Sequence, residues 1–252
     1  MNAALDMQGL RGELLHDAPL AGLTSWRVGG HAERLYRPAD LQDLQAFLRQ
    51  LPADEPLLWL GLGSNLLVRD GGVRGTVIAL HARLDGLERL GDSGVRAGAG
   101  VPGAKLARFA ARFEIGYRHV RALTEEGSFW FVAAEFDFEP GGDPQVLHRQ
   151  TRELLANRAA SQPTGVASCG SVFRNPPGDF AGRLIEAAGL KGLRRGGAMV
   201  AEKHGNFILN TGSASAADIE DLILEVQTCV EAQSGIRLQP EVRIVGEREA
   251  GA

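Results

Sequence analysis

Residues 161–210, SQPTGVASCGSVFRNPPGDFAGRLIEAAGLKGLRRGGAMVAEKHGNFILN, decide how the rest of the chain is read. The run is polar, punctuated by glycine, and leaves little room for a core. Glycine lets a backbone approach a ligand where no side chain intrudes, so a loop cluster of this composition marks a binding site. Between positions 171 and 204 there are six Lys or Arg against three Asp or Glu, an excess that suits a small anionic ligand. The chain as a whole carries a net charge of −4, which excludes a general nucleic-acid binder.

Helix and strand signals follow in both directions from this run. Asp179 is placed to cap a helix that Gly189 stops. Ser215 with Asp218 reads as a capping box before Ile219, Leu222, Ile223, Val226 and Val230, and Gly235 ends that helix. Residues 241–245 close the chain as a strand. Upstream, Asp40 caps a helix carrying Leu41, Leu44, Phe47, Leu48 and Leu51 at helical spacing. Residues 56–60, 76–80, 95–99 and 129–138 read as strands. Residues 104–112 and 144–158 read as helices, the latter with Val146 and Leu147 matched to Leu154 and Leu155. Helices alternating with buried strands give a mixed α/β and α+β architecture. Turn signals at 140–165 divide the chain into residues 1–150 and 151–252.

The 252 residues, 44% hydrophobic and 23% charged, describe an ordinary globular protein with a sizeable core. Cys169 and Cys229 stand far apart with no metal-ligand spacing, and the six histidines form no ligand pattern, so no metal is expected. Neither a secretory leader nor a membrane span is legible, which points to the cytoplasm. Oligomeric state is not readable. Cys169 has no base partner in the sequence and reads as a small buried residue.

Two glycine loops lie in the N-terminal half. The loop GLGSN (61–65) follows a strand signal, and its amides and the Ser64 hydroxyl suit a phosphate. GAGVPG (98–103) matches G-x-G-x-x-G formally. It stands far from a first strand and lacks the acidic residue about 20 positions on, so it reads as a tight turn instead of a dinucleotide site.

Taken together, TSWRVGG (24–30), GLGSNLLVRDGGVRG (61–75), GYRHV (116–120), GSVFRNPPGDFAGRLIE (170–186), AEKHGNF (201–207) and PEVRIVGE (240–247) resemble one family. It is the UDP-N-acetylenolpyruvoylglucosamine reductases, the MurB-type flavoenzymes of peptidoglycan precursor synthesis. The resemblance runs from about residue 20 to 247. It implies a vanillyl-alcohol-oxidase-type FAD-binding domain followed by a MurB-type substrate domain, with FAD as cofactor, NADPH as hydride donor and a UDP-sugar as substrate. Carried onto this sequence, it makes Ser171 the proton donor and sets Arg118 and Glu241 to stabilise charge on the substrate carboxylate. It places FAD along Val28, Gly29 and Gly30 and along Gly61, Gly63, Ser64, Asn65 and Leu66. The UDP-sugar falls to Tyr117, Asn175, Lys191, Lys203 and His204.

One departure bears on the cofactor. In the family, a glycine-rich segment and further sheet separate the helix matching 103–112 from the GYR motif. Here residues 112–115 run straight into Gly116, Tyr117 and Arg118, so the FAD-binding domain is shortened. Each charge-assisted hydrogen bond lost to a phosphate is worth about 1.5–3 kcal/mol, and two weaken FAD binding more than about a hundredfold. The alternative expectation is a flavin-free remnant that still binds a UDP-sugar.

Overall fold

The structure, a computed structural model, describes residues 9–91, 94–101, 133–137 and 143–249. In chain order the elements are β1 (Glu13–Pro19), β2 (His31–Arg37), α1 (Leu41–Leu48), β3 (Leu57–Leu60), β4 (Leu66–Val68) and β5 (Val73–Ala79). There follow β6 (Leu87–Leu90), β7 (Gly94–Gly98), β8 (Ala133–Asp137), α2 (Pro144–Ser161), β9 (Ala167–Ser168) and α3 (Ala181–Ala187). The chain closes with β10 (Arg194–Arg195), β11 (Ala198–Val200), β12 (Ile208–Asn210), α4 (Ala216–Ser234) and β13 (Arg243–Val245). The helix expected over 104–112 lies outside the described residues.

Contacts gather the chain into two units, neither contiguous in sequence. The first takes residues 1–13, 37–51 and 79–153. In it, Asp40 accepts the Asp43 amide at 2.9 Å to start α1, as the capping signal requires. Leu44 and Phe47 are the buried face of that helix. β6, β7 and β8 form an antiparallel sheet in which Val95 pairs with Arg89 on one side and Phe136 on the other. Gly98 and Gly100 press on the 80–86 turn. A Cβ on either would lie 2.2 Å from a carbonyl oxygen, that of Leu84 or Leu80. Packing therefore accounts for both of these glycines, in keeping with a tight turn.

The second unit takes residues 14–36, 52–78 and 154–252 and holds the main core. One sheet in it runs β1-β2-β5-β3, with β2 and β5 parallel; a second runs β10-β11-β12-β9, antiparallel throughout. α4 buries Ile219, Leu222, Ile223, Val226 and Val230, the five apolar positions its spacing marks. Its capping box is complete, with Ser215 accepting the Asp218 amide and Asp218 accepting that of Ser215. Gly235 ends it at φ 69°, a left-handed conformation that glycine enters without steric cost.

Two expectations differ in detail. α3 begins after Phe180, and Asp179 binds the Phe180 amide while pairing with Arg183. Asn175 instead accepts the Ala181 amide at 3.1 Å. On α2, Leu154 and Leu155 are exposed, at 70% and 58%, so they do not complete a packed apolar stripe.

Trp26 ties TSWRVGG to the C-terminal sheet. Wholly buried, it donates from Nε1 to the Ile208 carbonyl at 2.8 Å, while Asn210 donates to the Trp26 carbonyl at 2.9 Å. A second tie is ionic. Glu220 accepts both Arg69 nitrogens at 2.8 Å and Arg248 at 3.1 Å, and the Arg69 hydrogen bonds, with Arg248 adding to them, hold its carboxyl below the usual range. Asp70 accepts the Ala216 and Ala217 amides at the start of α4.

A depressed carboxyl value contributes stability that is fully present above the unfolded-state value near 4.5 and disappears as pH falls through the folded one. Replacing Glu220 by Gln removes the ionic partner of Arg69 and Arg248, both partly solvated, and is expected to cost about 1 kcal/mol at pH 7. Melting temperatures measured from pH 7 down to pH 3 should fall more steeply below pH 4.5 in the native protein than in E220Q. Parallel curves would show that this ionisation contributes nothing.

Candidate active site

Ser171 sits where three distant segments meet. Gly170, at φ 81°, stands directly before Ser171. Val172 donates its amide to the Asn206 carbonyl at 2.9 Å and accepts the Glu241 amide at 2.7 Å. Phe173 bridges to Pro240, and the Arg174 amide donates to the Gln239 carbonyl. Val172 thus lies opposite Glu241 on neighbouring segments, one position from Ser171, and Glu241 is not among the residues that line the cavity beside Ser171.

Asn65 joins the same junction. Its side chain donates to the Glu241 carbonyl at 3.1 Å and its own carbonyl accepts the Arg243 amide at 3.1 Å. β4 then runs parallel to β13, pairing Leu66 with Arg243. Gly63 is held from the other side. Its carbonyl accepts the Ser25 amide, its φ is +66°, and a Cβ there would stand 2.0 Å from the Leu23 carbonyl oxygen. Gly61, by contrast, faces open space, and Leu62, Ser64 and Asn65 are exposed. An anchored glycine beside an open one leaves exposed backbone and a hydroxyl in reach of a phosphate, so the loop fits a dinucleotide cofactor. Leu66 itself is buried within β4. Val28 belongs to the core, and Gly29 and Gly30 pack against residues 68–72, where a Cβ on either would collide.

A cavity of about 520 Å³ opens beside Ser171. Asn175, Lys191, Lys203 and His204 line it, so five of the residues singled out in the sequence share one wall. Lys191 pairs with Glu186 at 2.7 Å, and Lys203 donates to the Ala159 carbonyl at 2.5 Å. Arg183, with its partner Asp179 lowered to about 2 chiefly by that guanidinium, adds a third cation. Three cations around one carboxylate make the cavity attractive to an anionic ligand. Phe180, 67% exposed, supplies an apolar wall at the same cavity.

His204 accepts the Asn206 amide at Nδ1, which leaves the proton of the neutral ring on Nε2. Burial, helped by the charge of Lys191, lowers its pKa. Phe207 stacks on it edge-on at 4.9 Å. Tyr117 and Arg118 lie outside the described residues. Arg183, Phe180 and Asn206 carry parts of the site that the sequence reading did not assign, although the quoted motifs contain all three. Among the described residues no group of His, Cys, Asp or Glu is placed to hold a metal. No described helix is long and apolar enough to cross a membrane.

Comparison with known proteins gives this geometry its class. Residues 32–128 match a family profile described as an FAD binding domain, and residues 162–245 match the UDP-N-acetylenolpyruvoylglucosamine reductase C-terminal domain. Proteins named UDP-N-acetylenolpyruvoylglucosamine reductase from Alkalilimnicola ehrlichii and Methylococcus capsulatus are each 48% identical to this chain. The first alignment covers 95% of this chain and 97% of the relative, the second 95% of each. A crystal structure of UDP-N-acetylenolpyruvylglucosamine reductase from Thermus caldophilus aligns with a TM-score of 0.65 at 28% identity. It covers 93% of this chain and 99% of that one.

The class is that of an FAD-binding oxidoreductase with a two-part fold. The chain belongs to the UDP-N-acetylenolpyruvoylglucosamine reductase family. The Alkalilimnicola alignment runs over 293 positions, more than the 252 residues of this chain, so the relative carries internal residues that this chain lacks. The expected junction at 112–116 lies outside the described residues.

Cys169, two positions before Ser171, is 8% exposed, and burial pushes its thiol up to about 12. Such a thiol is almost wholly protonated and inert at neutral pH. Iodoacetamide at pH 8 should modify the half-buried Cys229 of the folded protein first, and Cys169 only after denaturation. Mass spectrometry of the tryptic peptides checks this; rapid labelling of Cys169 would mean that the Ser171 segment opens.

Proposed function

We propose that the chain reduces UDP-N-acetylenolpyruvoylglucosamine to UDP-N-acetylmuramate, with NADPH as the source of electrons, as a cytoplasmic step of peptidoglycan precursor synthesis. The observation that carries the reading is Ser171 at a cationic cavity, next to a Val172 that bonds the Glu241 amide, with Asn65 of the 61–65 loop bonded to the Glu241 carbonyl. FAD, once reduced, supplies the hydride that the enolpyruvyl double bond accepts. The remaining work belongs to the protein.

Lys191, Lys203 and Arg183 surround the cavity with positive charge that suits the diphosphate of a UDP-sugar. Asn175 presents its amide there while its oxygen caps α3, a bond that fixes the side chain's direction. As the double bond is reduced, negative charge builds on the substrate carboxylate and on the carbon beside it. Arg118 stabilises the carboxylate as a guanidinium, and Glu241 orients the group from the neighbouring strand. Ser171 Oγ gives its proton to the carbon next to the carboxylate. A hydroxyl is a weak acid in water, but beside a strongly basic carbon in a dry site it is acidic enough. On this reading residues 1–150 form the FAD-binding domain and residues 151–252 the substrate domain.

The internal shortening favours one second reading, a descendant that keeps the UDP-sugar cavity but no longer retains flavin. The visible spectrum of the purified protein separates the two. Near-stoichiometric FAD supports the reductase, and a protein that stays colourless with added FAD supports the remnant. In the flavin-bearing protein, Ser171→Ala should leave flavin reduction by NADPH within about twofold and slow flavin reoxidation by the UDP-sugar at least a hundredfold. Equal loss of both half-reactions would make Ser171 a structural residue.

A further inference from the structure

Ser171 needs more than the right side chain; its oxygen must be aimed, and the aiming device is visible. Val172 is wholly buried and Phe173 is 2% exposed. Ser171 lines the cavity while Val172 and Phe173 beside it are buried. That placement holds only while the 171–174 segment keeps its rotation about its own axis. On one edge Pro240 and Glu241 supply the restraint. On the other edge no regular strand runs alongside, since β12 begins only at Ile208.

Asn206 fills that place. It is 3% exposed, and its side chain closes a two-bond ring on the backbone of a single residue: Oδ1 accepts the Phe173 amide at 2.9 Å, and Nδ2 donates to the Phe173 carbonyl at 2.8 Å. Its own carbonyl takes the Val172 amide at 2.9 Å. A side-chain amide here reproduces the paired donor and acceptor of a neighbouring strand. Three hydrogen bonds from one residue thus lock positions 172 and 173. The Asn206 amide also donates to His204 Nδ1, so the same residue sets the tautomer that the cavity meets.

We propose that Asn206 is a positioning residue for proton transfer, holding the 171–173 strand so that Ser171 Oγ faces the reacting carbon. The proposal rests on the reading of Ser171 as proton donor. Only a side chain that donates and accepts at once serves this clamp. Aspartate keeps the volume and the bond from the Phe173 amide but turns its second oxygen toward the Phe173 carbonyl, while alanine leaves both backbone groups buried without this partner. A displacement of about 1 Å at a reacting atom costs on the order of a hundredfold in rate.

The test uses the full-length FAD-loaded protein and two variants, Asn206→Ala and the milder Asn206→Asp. Stopped-flow absorbance follows flavin reduction by NADPH and reoxidation by UDP-N-acetylenolpyruvoylglucosamine, in water and in deuterium oxide. Amide hydrogen exchange is measured in parallel on the peptide containing residues 171–174. The expected result is flavin content and reduction rate within about twofold of the native protein, with reoxidation slowed about a hundredfold. The solvent isotope effect on reoxidation should grow, and exchange at 172 and 173 should be faster than in the native protein. Parallel loss of both half-reactions, or of flavin, would make Asn206 a general structural residue and overturn the proposal, as would native reoxidation in both variants. If the native protein itself is not reoxidised by this substrate, the proton-donor reading fails separately. The exchange data then decide the clamp, which unchanged protection at 172 and 173 overturns.

Discussion

The extended stretch from Ser171 to Arg174 is the constraint on which the site depends. Each residue from 172 to 174 spends backbone groups on chain more than thirty positions away, at Asn206 on one edge and at 239–241 on the other. Buried backbone groups left without partners cost about 1–3 kcal/mol each, so neither edge can loosen without penalty. That penalty restrains an irregular, glycine-entered segment on both edges.

The same economy joins motifs that the linear chain keeps far apart. Trp26 brings TSWRVGG against β12, Asn65 ties the 61–65 loop to Glu241, and Arg69 with Asp70 binds β4 to α4. These bonds place 14–36 and 52–78 in one compact unit with 154–252. Motifs from the first third of the sequence therefore meet those from the last third in a single core, with Trp26, Val28 and Leu67 packed among C-terminal residues. The glycines of these motifs divide by role. Gly29, Gly30 and Gly63 are required by close backbone packing, whereas Gly61 keeps a side of the loop open.

What could be read in advance follows from range. The capping box at Ser215, the glycine stops at 189 and 235 and the apolar stripe of α4 are local signals, and the structure keeps them all. Ser171, Asn175, Lys203 and His204 stand in the quoted motifs and Lys191 lies between two of them, and the five line one cavity. The roles that escaped are those made by long-range bonds. Asn206 stands in the quoted AEKHGNF string, yet its partner is Phe173, 33 positions away, and no periodicity reports that pairing. Asn175 reads as a ligand contact, but its oxygen also caps α3 across a gap of six residues, a place the simple rule gave to Asp179. At Asn206 an amide serves where an acid would not, because it donates as well as accepts.

The internal shortening and the substrate cavity are physically separable. Every described residue that lines the cavity falls between 162 and 206, and the core cluster of the C-terminal elements belongs to the same compact unit. The 61–65 loop is anchored by Ser25, Leu23, Glu241 and Arg243, all of that unit too. A loss of residues elsewhere in the chain therefore removes none of the bonds that shape this loop or aim Ser171. The internal shortening is compatible with an intact Ser171 segment.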